Sequence, residues 1–353
     1  MPVKSDFMIY ASYGYTGDLI ARLAVERGLR PILAGRNAAK LYSQAEELKL
    51  EACNFPLEDR AALEAGLGLV KAVINCAGPF VDTAQPMVDA CLRTGTHYLD
   101  ITGEFQVFEA LAKLDLRAKE CGISLLPGVG FDVAPSDCLA GHLKARLPSA
   151  TYLALGILSL GRFSQGTAIT TVRNLGQTSM IRRGGELTPL PPGSKNRMID
   201  FGRGLIQTTA VTWGDISTAF YSTNIPNIEV YRPVPSTVRG LFWMLRYLRT
   251  ILISPAIQKA LISAIRRGPP GPTTTERKAG LSILWGEAAD NKGNRVTARL
   301  QTPEGYTLTS QTALEATLKA ATGQVTAGFH TPSTAFGIDF ISEFEGIIRQ
   351  DLI

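Results

Sequence analysis

From Phe7 to Pro127, short apolar runs alternate with segments of helical periodicity, and this rhythm constrains the fold more than any other feature of the chain. Phe7 to Ala11 reads as a strand. Tyr15 to Arg27 reads as a helix with Ile20, Leu23 and Ala24 inward, and Gly28 stops it. Five more strands are predicted at Arg30–Gly35, Leu50–Phe55, Lys71–Ala77, His97–Ile101 and Ile123–Pro127. Helices separate them: one capped by Asn37 and running to about Leu48, then Asp59–Leu67, Ala84–Thr94 and Leu111–Cys121. Alternation of this kind predicts an α/β domain, a doubly wound parallel sheet with helices on both faces.

After Gly130 the pattern changes. Pro135-Ser136-Asp137 opens a helix, Thr151–Leu158 is a strand, and Gln165–Thr178 is a helix dotted with glycine. Gly184–Asn196 and Pro269–Thr275 read as loops. Leu281–Ala288, Asn294–Gln301 and Tyr306–Thr309, separated by turn residues, read as an antiparallel meander. Gln311–Thr322, stopped by Gly323, and Pro332–Gln350, capped by Thr331, read as closing helices. The expected organisation is a Rossmann domain over 1–130 and an α+β domain with antiparallel strands over 131–330, to which the resemblance given below and the expected homodimer assign substrate binding and dimerisation. A C-terminal helix over 331–353 is expected to pack back on the first domain.

The 353 residues are 45% apolar and 19% charged, enough to bury two cores and too apolar for a disordered chain. Lys plus Arg exceeds Asp plus Glu by 36 to 31, with no dense basic run, so nucleic acid is not an expected partner. Five cysteines, none in a Cys-x-x-Cys pair, and three histidines without His-Glu-x-x-His give no metal set and no disulfide framework. Met1–Asp6 is polar and does not resemble a secretory signal, so a reduced, cytoplasmic protein is expected. Val238–Ile265 is the most apolar stretch, but Arg246, Arg249, Lys259 and Pro255 interrupt it, and it reads as two helices. Two roles fit them: a hairpin packed on the core or on a second subunit, or a basic amphipathic element touching a membrane or a lipid-like substrate.

Ala11-Ser12-Tyr13-Gly14-Tyr15-Thr16-Gly17 lies where the first strand turns into the first helix. Its spacing is Gly-x-x-Gly-x-x-Gly with alanine in the first place. A pyrophosphate needs close backbone approach and the free N–H groups of a helix start, and this motif supplies both. At the end of the second strand, Gly35-Arg36-Asn37 offers no carboxylate for ribose hydroxyls, whereas Arg36 and Lys40 suit a 2′-phosphate. A solvated surface arginine is the competing reading of Arg36. The cofactor expected is NADP(H). Asn54, at the end of the third strand, and Cys76-Ala77-Gly78-Pro79-Phe80, after the fourth, complete the expected cofactor-binding set. Nothing near Cys76 in sequence activates it, so it reads as a small core residue.

Several segments together resemble the saccharopine dehydrogenase-like family of NADP-dependent oxidoreductases, and in particular its bacterial branch with the trans-acting enoyl reductases. They are Tyr13–Gly17, Leu33–Arg36, Asn75–Phe80, His97–Glu104 and Pro127–Asp132, then Gly166–Ala168, Gly214–Ala219, Pro269–Pro272 and Thr331–Gly337. The resemblance implies a Rossmann domain with a substrate domain and NADP(H) as cofactor, and leaves the substrate open.

Hydride transfer asks the protein to place the nicotinamide, exclude water and supply a proton. Candidate catalytic groups follow the fifth and sixth strands: Tyr98, Asp100, Glu104 and Asp132. Alternation puts Tyr98 and Asp100 on one side of their strand, with His97 facing away. Asp137 reads equally as a first-turn acid, and His330 lies near enough to a helix start to reach the cleft. Tyr-x-x-x-Lys, a Gly-Lys-Ser/Thr phosphate loop and Gly-x-Ser-x-Gly are all absent from the sequence. The leading expectation is an NADPH-dependent reductase of a C=C (enoyl) or C=N (imine) bond in a small molecule, with the apolar 238–265 stretch motivating a hydrophobic substrate for the C=C version. An amino-acid substrate would need arginines such as Arg162, Arg173, Arg182 or Arg183. The alternative is a non-catalytic NADP(H)-binding protein at a membrane or partner surface. A homodimer is expected.

Overall fold

The computed structural model describes residues 5–173, 178–191, 193–233 and 254–352. Within the first part the predicted alternation is present: β1 (Ser5–Tyr10), α1 (Tyr15–Glu26), β2 (Ile32–Gly35), α2 (Ala38–Leu48), β3 (Ala52–Asn54) and α3 (Arg60–Leu67). It continues with β4 (Val70–Asn75), α4 (Phe80–Thr94), β5 (His97–Asp100), α5 (Phe105–Ala112), α6 (Asp115–Glu120) and β6 (Ser124–Leu126). Caps set the helix starts. The Asn37 side chain accepts from Lys40 N at 3.0 Å and that of Asp59 from Ala62 N at 3.0 Å. Gly28, at φ 75°, lies just past the end of α1, and Gly95, at φ 68°, ends α4.

The chain then enters a second set of elements. These are α7 (Ala134–Arg146), β7 (Tyr152–Ser159), α8 (Gln165–Arg173), β8 (Ser179–Arg183), β9 (Glu186–Leu190), β10 (Asn196–Asp200) and β11 (Leu205–Val211). Next come α9 (Asp215–Thr223), β12 (Asn227–Pro233), α10 (Pro255–Arg266), α11 (Thr274–Ala279), β13 (Leu281–Ala289) and β14 (Arg295–Pro303). The last elements are α12 (Gly305–Ala321), β15 (Gly328–Phe329), α13 (Pro332–Phe336), a 3-10 turn at Phe340–Glu343 and β16 (Ile348–Leu352).

The chain forms two compact units, 1–134 with 306–344, and 135–305 with 345–353. In the first, a parallel seven-stranded sheet runs in the order β15-β6-β5-β4-β1-β2-β3. Six of these strands follow the order of a dinucleotide-binding sheet, with the reversal of direction falling between β1 and β4. Met8 on β1 faces Ile32 on one side and Val73 on the other, and all are buried. In the second unit the main sheet runs β10-β11-β12-β7-β13-β14-β16, and the β8–β9 hairpin joins it at β12. On one of its faces Leu139 and Leu143 of α7 lie against Gly286, where a Cβ would come within 2.5 Å of Leu143. A core of Ile199, Phe201, Tyr231 and Trp285, with Ala154, fills the other.

Four expectations are corrected. Tyr306–Thr309 belongs to α12, not to a third meander strand, although β13 and β14 do pair antiparallel. Residues 306–344 return to the first unit and are not part of the second, whose chain begins at 135. The helix expected over Pro332–Gln350 ends at Phe336; Thr331 caps it as expected, but the tail becomes β16 on the edge of the second sheet. Gly184–Asn196 is not one loop: it contains β9 (Glu186–Leu190) and reaches the first residue of β10. Of the stretch 238–265, residues 238–253 lie outside the described residues. Its second helix is present as α10, with proline in the first turn and no fully buried side chain. Among the described residues no helix is long and apolar enough to cross a membrane.

Candidate functional site

β1 and β4 stay paired up to Tyr10 and Asn75 at the switch point, and the turn after each is shaped by polar contacts. After β1, Ala11 adopts the left-handed region at φ 58°, so alanine stands where the turn favours glycine. Gly14 N then donates to Ala11 O at 3.0 Å, and Gly14 caps α1 without any side-chain bond. The first-turn amides of α1 therefore keep the anion-attracting character of a helix start. A Cβ on Gly17 would sit 2.6 Å from Ala11 O and 2.9 Å from Ser12 Cα, which explains the glycine there. Tyr15 packs edge-on against Tyr306 of α12, and Thr16 is half-buried beside it in the chain.

Gln44 fastens this turn from behind. Its Nε2 donates to Ser12 O at 3.0 Å and to Asp18 Oδ1 at 2.9 Å, and Asp18 in turn pairs with Arg22 at 2.8 Å. Gln44 was not a sequence candidate. The available signal was a glutamine on the inward face of α2 beside Leu41 and Ala45. Ser12 Oγ and Gln44 Oε1 are buried with no hydrogen-bond partner among the described residues.

The end of β2 holds the second expected group. The Tyr13 ring lies across Gly35, where a Cβ would fall 2.6 Å from Cε1, and the Tyr13 hydroxyl accepts from Asn37 N at 3.0 Å. Asn54 Nδ2 donates to Gly35 O at 2.7 Å. Arg36 and Lys40 are exposed, and neither forms an ion pair among the described residues. Two unneutralised cations beside a bare strand end fit a 2′-phosphate, and the glycine turn with its uncapped helix fits a diphosphate.

After β4, Asn75 Oδ1 accepts from Ala77 N at 3.0 Å, and Thr83 Oγ1 donates to Ala77 O at 2.5 Å. These bonds set the Cys76-Ala77-Gly78-Pro79-Phe80 turn, in which Gly78 is exposed and its neighbours are partly covered. Burial and then the Asp100 carboxyl push the Cys76 thiol up, so it carries no thiolate character.

The structure brings the expected catalytic residues together in unequal roles. Tyr98 and Asp100 do share a side. The Tyr98 hydroxyl donates to Asp100 Oδ2 at 2.7 Å, and both residues are fully buried. Asp100 Oδ1 accepts from Thr102 N at 3.0 Å and Gly128 N at 2.8 Å, which ties the loops after β5 and β6. Burial raises the Asp100 carboxyl to about 6 against the lowering effect of these donors. Glu104 holds the start of α4: its two oxygens accept from Phe80 N at 3.1 Å and Val81 N at 2.9 Å. Asp132 is half-buried against Gly103, whose added Cβ would be 3.2 Å from Asp132 Oδ2. Thr309 of α12 accepts from Phe131 N at 2.9 Å, placing a carboxyl-terminal residue in the same loop cluster.

Other candidates lie apart from it. His97 Nδ1 accepts from Ser124 N at 3.0 Å, as expected of a residue facing away. His330 Nε2 lies 3.0 Å from Thr326 O, and burial lowers its imidazole. Asp137 is fully buried in the first turn of α7. In the second unit Arg182 is buried, with Nε donating to Ile216 O at 2.5 Å and its guanidinium 4.2 Å from the Phe220 ring. Arg162 pairs with Glu276 at 3.5 Å.

Residues 11–126 match the family described as the saccharopine dehydrogenase NADP-binding domain. The trans-acting enoyl reductase of Mycobacterium leprae is 34% identical over 152 residues, 40% of this chain and 36% of that protein. The trans-acting enoyl reductase of Mycobacterium tuberculosis is 31% identical over 151 residues, again 40% and 36%. The match thus spans only about a third of the length of these relatives. The fold is similar to that of saccharopine dehydrogenase (L-Glu forming) from Saccharomyces cerevisiae, with a TM-score of 0.67 at 12% identity over 99% of this chain and 100% of that one. The glycine turn, the switch point and the cationic end of β2 all fall inside the segment that matches the saccharopine dehydrogenase NADP-binding domain, so the match and the local geometry point to the same NADP(H) site.

Proposed function

We propose that the protein is an NADP(H)-dependent oxidoreductase that reduces an enoyl C=C bond. The observation that carries this reading is the coincidence of the NADP-binding segment with the switch point between β1 and β4, where such sheets hold a dinucleotide. NADPH, when bound, supplies a hydride. The Ala11–Gly17 turn and α1 hold the diphosphate, Arg36 and Lys40 face the 2′-phosphate, and the 76–80 turn presses backbone toward the ribose and nicotinamide.

The enoyl substrate is favoured over the imine by the names of the mycobacterial relatives. Arg182 also counts against an amino-acid substrate, since it is buried and its Nε and one terminal nitrogen already donate to the backbone carbonyls of Ile216 and Gly185. In this reading Tyr98, Asp100 and Glu104 are positioning residues that fix the three loops. Asp132, half-buried at the same cluster, is the remaining acid for proton delivery. All five cysteines are unbridged, which supports a reducing, cytoplasmic setting.

The test uses NADPH deuterated at C4 with a panel of enoyl thioesters and cyclic imines, read by mass spectrometry of the product. One added deuterium on an enoyl product is expected. Transfer to imines alone would replace the enoyl reading. Tight NADPH binding with no transfer to any member would favour a non-catalytic NADP(H)-binding protein.

A further inference from the structure

Taking NADP(H) as the bound nucleotide, we infer that Tyr13 determines specificity by donating its hydroxyl proton to the 2′-phosphate. The phenol oxygen already accepts the Asn37 N–H at 3.0 Å, so its lone pair is engaged by the backbone. Its own proton has no acceptor among the described residues. A phenol serves as both donor and acceptor, so the bond to Asn37 orients the remaining O–H. The ring has little freedom to turn elsewhere, because Gly35 lies directly against its edge.

The surroundings are cationic. Asn37 directly follows Arg36, and its side chain accepts from Lys40 N at 3.0 Å, so both basic residues flank the hydroxyl along the start of α2. An arginine and a lysine supply charge to a phosphate dianion, and a fixed neutral donor supplies direction. NADH offers a ribose hydroxyl at the same position and gains much less from such a donor.

Isothermal titration of the full chain with NADPH, NADH, 2′,5′-ADP and 5′-AMP tests this, comparing wild type with Tyr13→Phe. The variant keeps the ring and removes one oxygen. NADPH and 2′,5′-ADP should bind roughly tenfold more weakly, the scale of one hydrogen bond to a charged group, while NADH and 5′-AMP change by less than about twofold. Equal weakening of all four ligands would reduce Tyr13 to a packing residue and overturn the inference. Tighter NADPH binding by the variant would also overturn it, since the hydroxyl would then be shielding Asn37 N–H from the phosphate. Failure of the wild-type chain to bind NADPH would instead remove the NADP(H) reading itself.

Discussion

The Tyr98 hydroxyl and the Asp100 carboxylate meet at 2.7 Å with neither residue exposed, and two backbone amides complete the carboxylate's shell. A buried acid of this kind titrates with the fold. Its carboxyl is raised to about 6 from an ordinary value of 3.8. Between those limits the folded chain keeps a proton that the unfolded chain has released. The contribution of this group is therefore complete below pH ~4 and lost as pH rises through about 6. Asp100→Asn cannot titrate. The stability of wild type relative to that variant, from urea midpoints, should fall from pH 4 to pH 6 and level off above 7. A gap independent of pH would refute the assignment.

Glu104 is read as a cap on α4, and capping and catalysis predict different losses. Glu104→Ala should lower stability by about 1–2 kcal/mol, the usual cost of removing such a cap, and Glu104→Gln by less because one acceptor oxygen remains. For any substrate turned over, kcat should stay within a few-fold in Glu104→Gln. A fall of roughly a hundredfold or more, the scale of a lost proton donor, would make it a catalytic acid instead.

Ala11 carries the left-handed turn with a side chain that resists it. Ala11→Gly relieves about 1 kcal/mol of that strain, partly offset by the greater freedom of glycine in the unfolded chain. A net gain of up to ~1 kcal/mol in chemical denaturation is expected, with NADPH affinity retained. Ala11→Val should do the opposite on both counts. If the glycine variant were clearly less stable, the turn would not have the geometry described.

Arg36 should separate the two coenzymes. Arg36→Asp removes a cation and introduces a repelling anion, so NADPH affinity should fall at least tenfold by an order-of-magnitude estimate, with NADH much less affected. Fluorescence titration of both coenzymes decides it; parallel losses would place the 2′-phosphate elsewhere.

Much of the first unit was legible because its strands are buried on both faces and its helices are amphipathic, so the two periods stand out in the sequence. That Tyr98 and Asp100 share a side of β5 followed from strand alternation, whereas the hydrogen bond between them did not. Contacts across distant segments were not legible. Nothing at Glu104 announces that its oxygens meet the amides of Phe80 and Val81. Gln44 behind Ser12 was hidden for the same reason. Tyr306–Thr309 reads as strand by composition, yet it forms the start of α12, where Tyr15 and Phe131 N receive it. β16 was missed because Arg349, Gln350 and Asp351 give an edge strand no apolar alternation, and its register comes from β14.

The placement of β15 beside β6 has a consequence for how the molecule is made. During synthesis β1 to β6 leave the ribosome one after another, but the border strand of the same sheet and the helix preceding it emerge only after residues 135–305 of the second unit. The edge of β6 must wait uncovered through that interval. Maturation of the nucleotide-binding half is thereby postponed until residues 328–329 have been made, and a chain stalled before residue 328 would expose an open flank to chaperones or to its own kind.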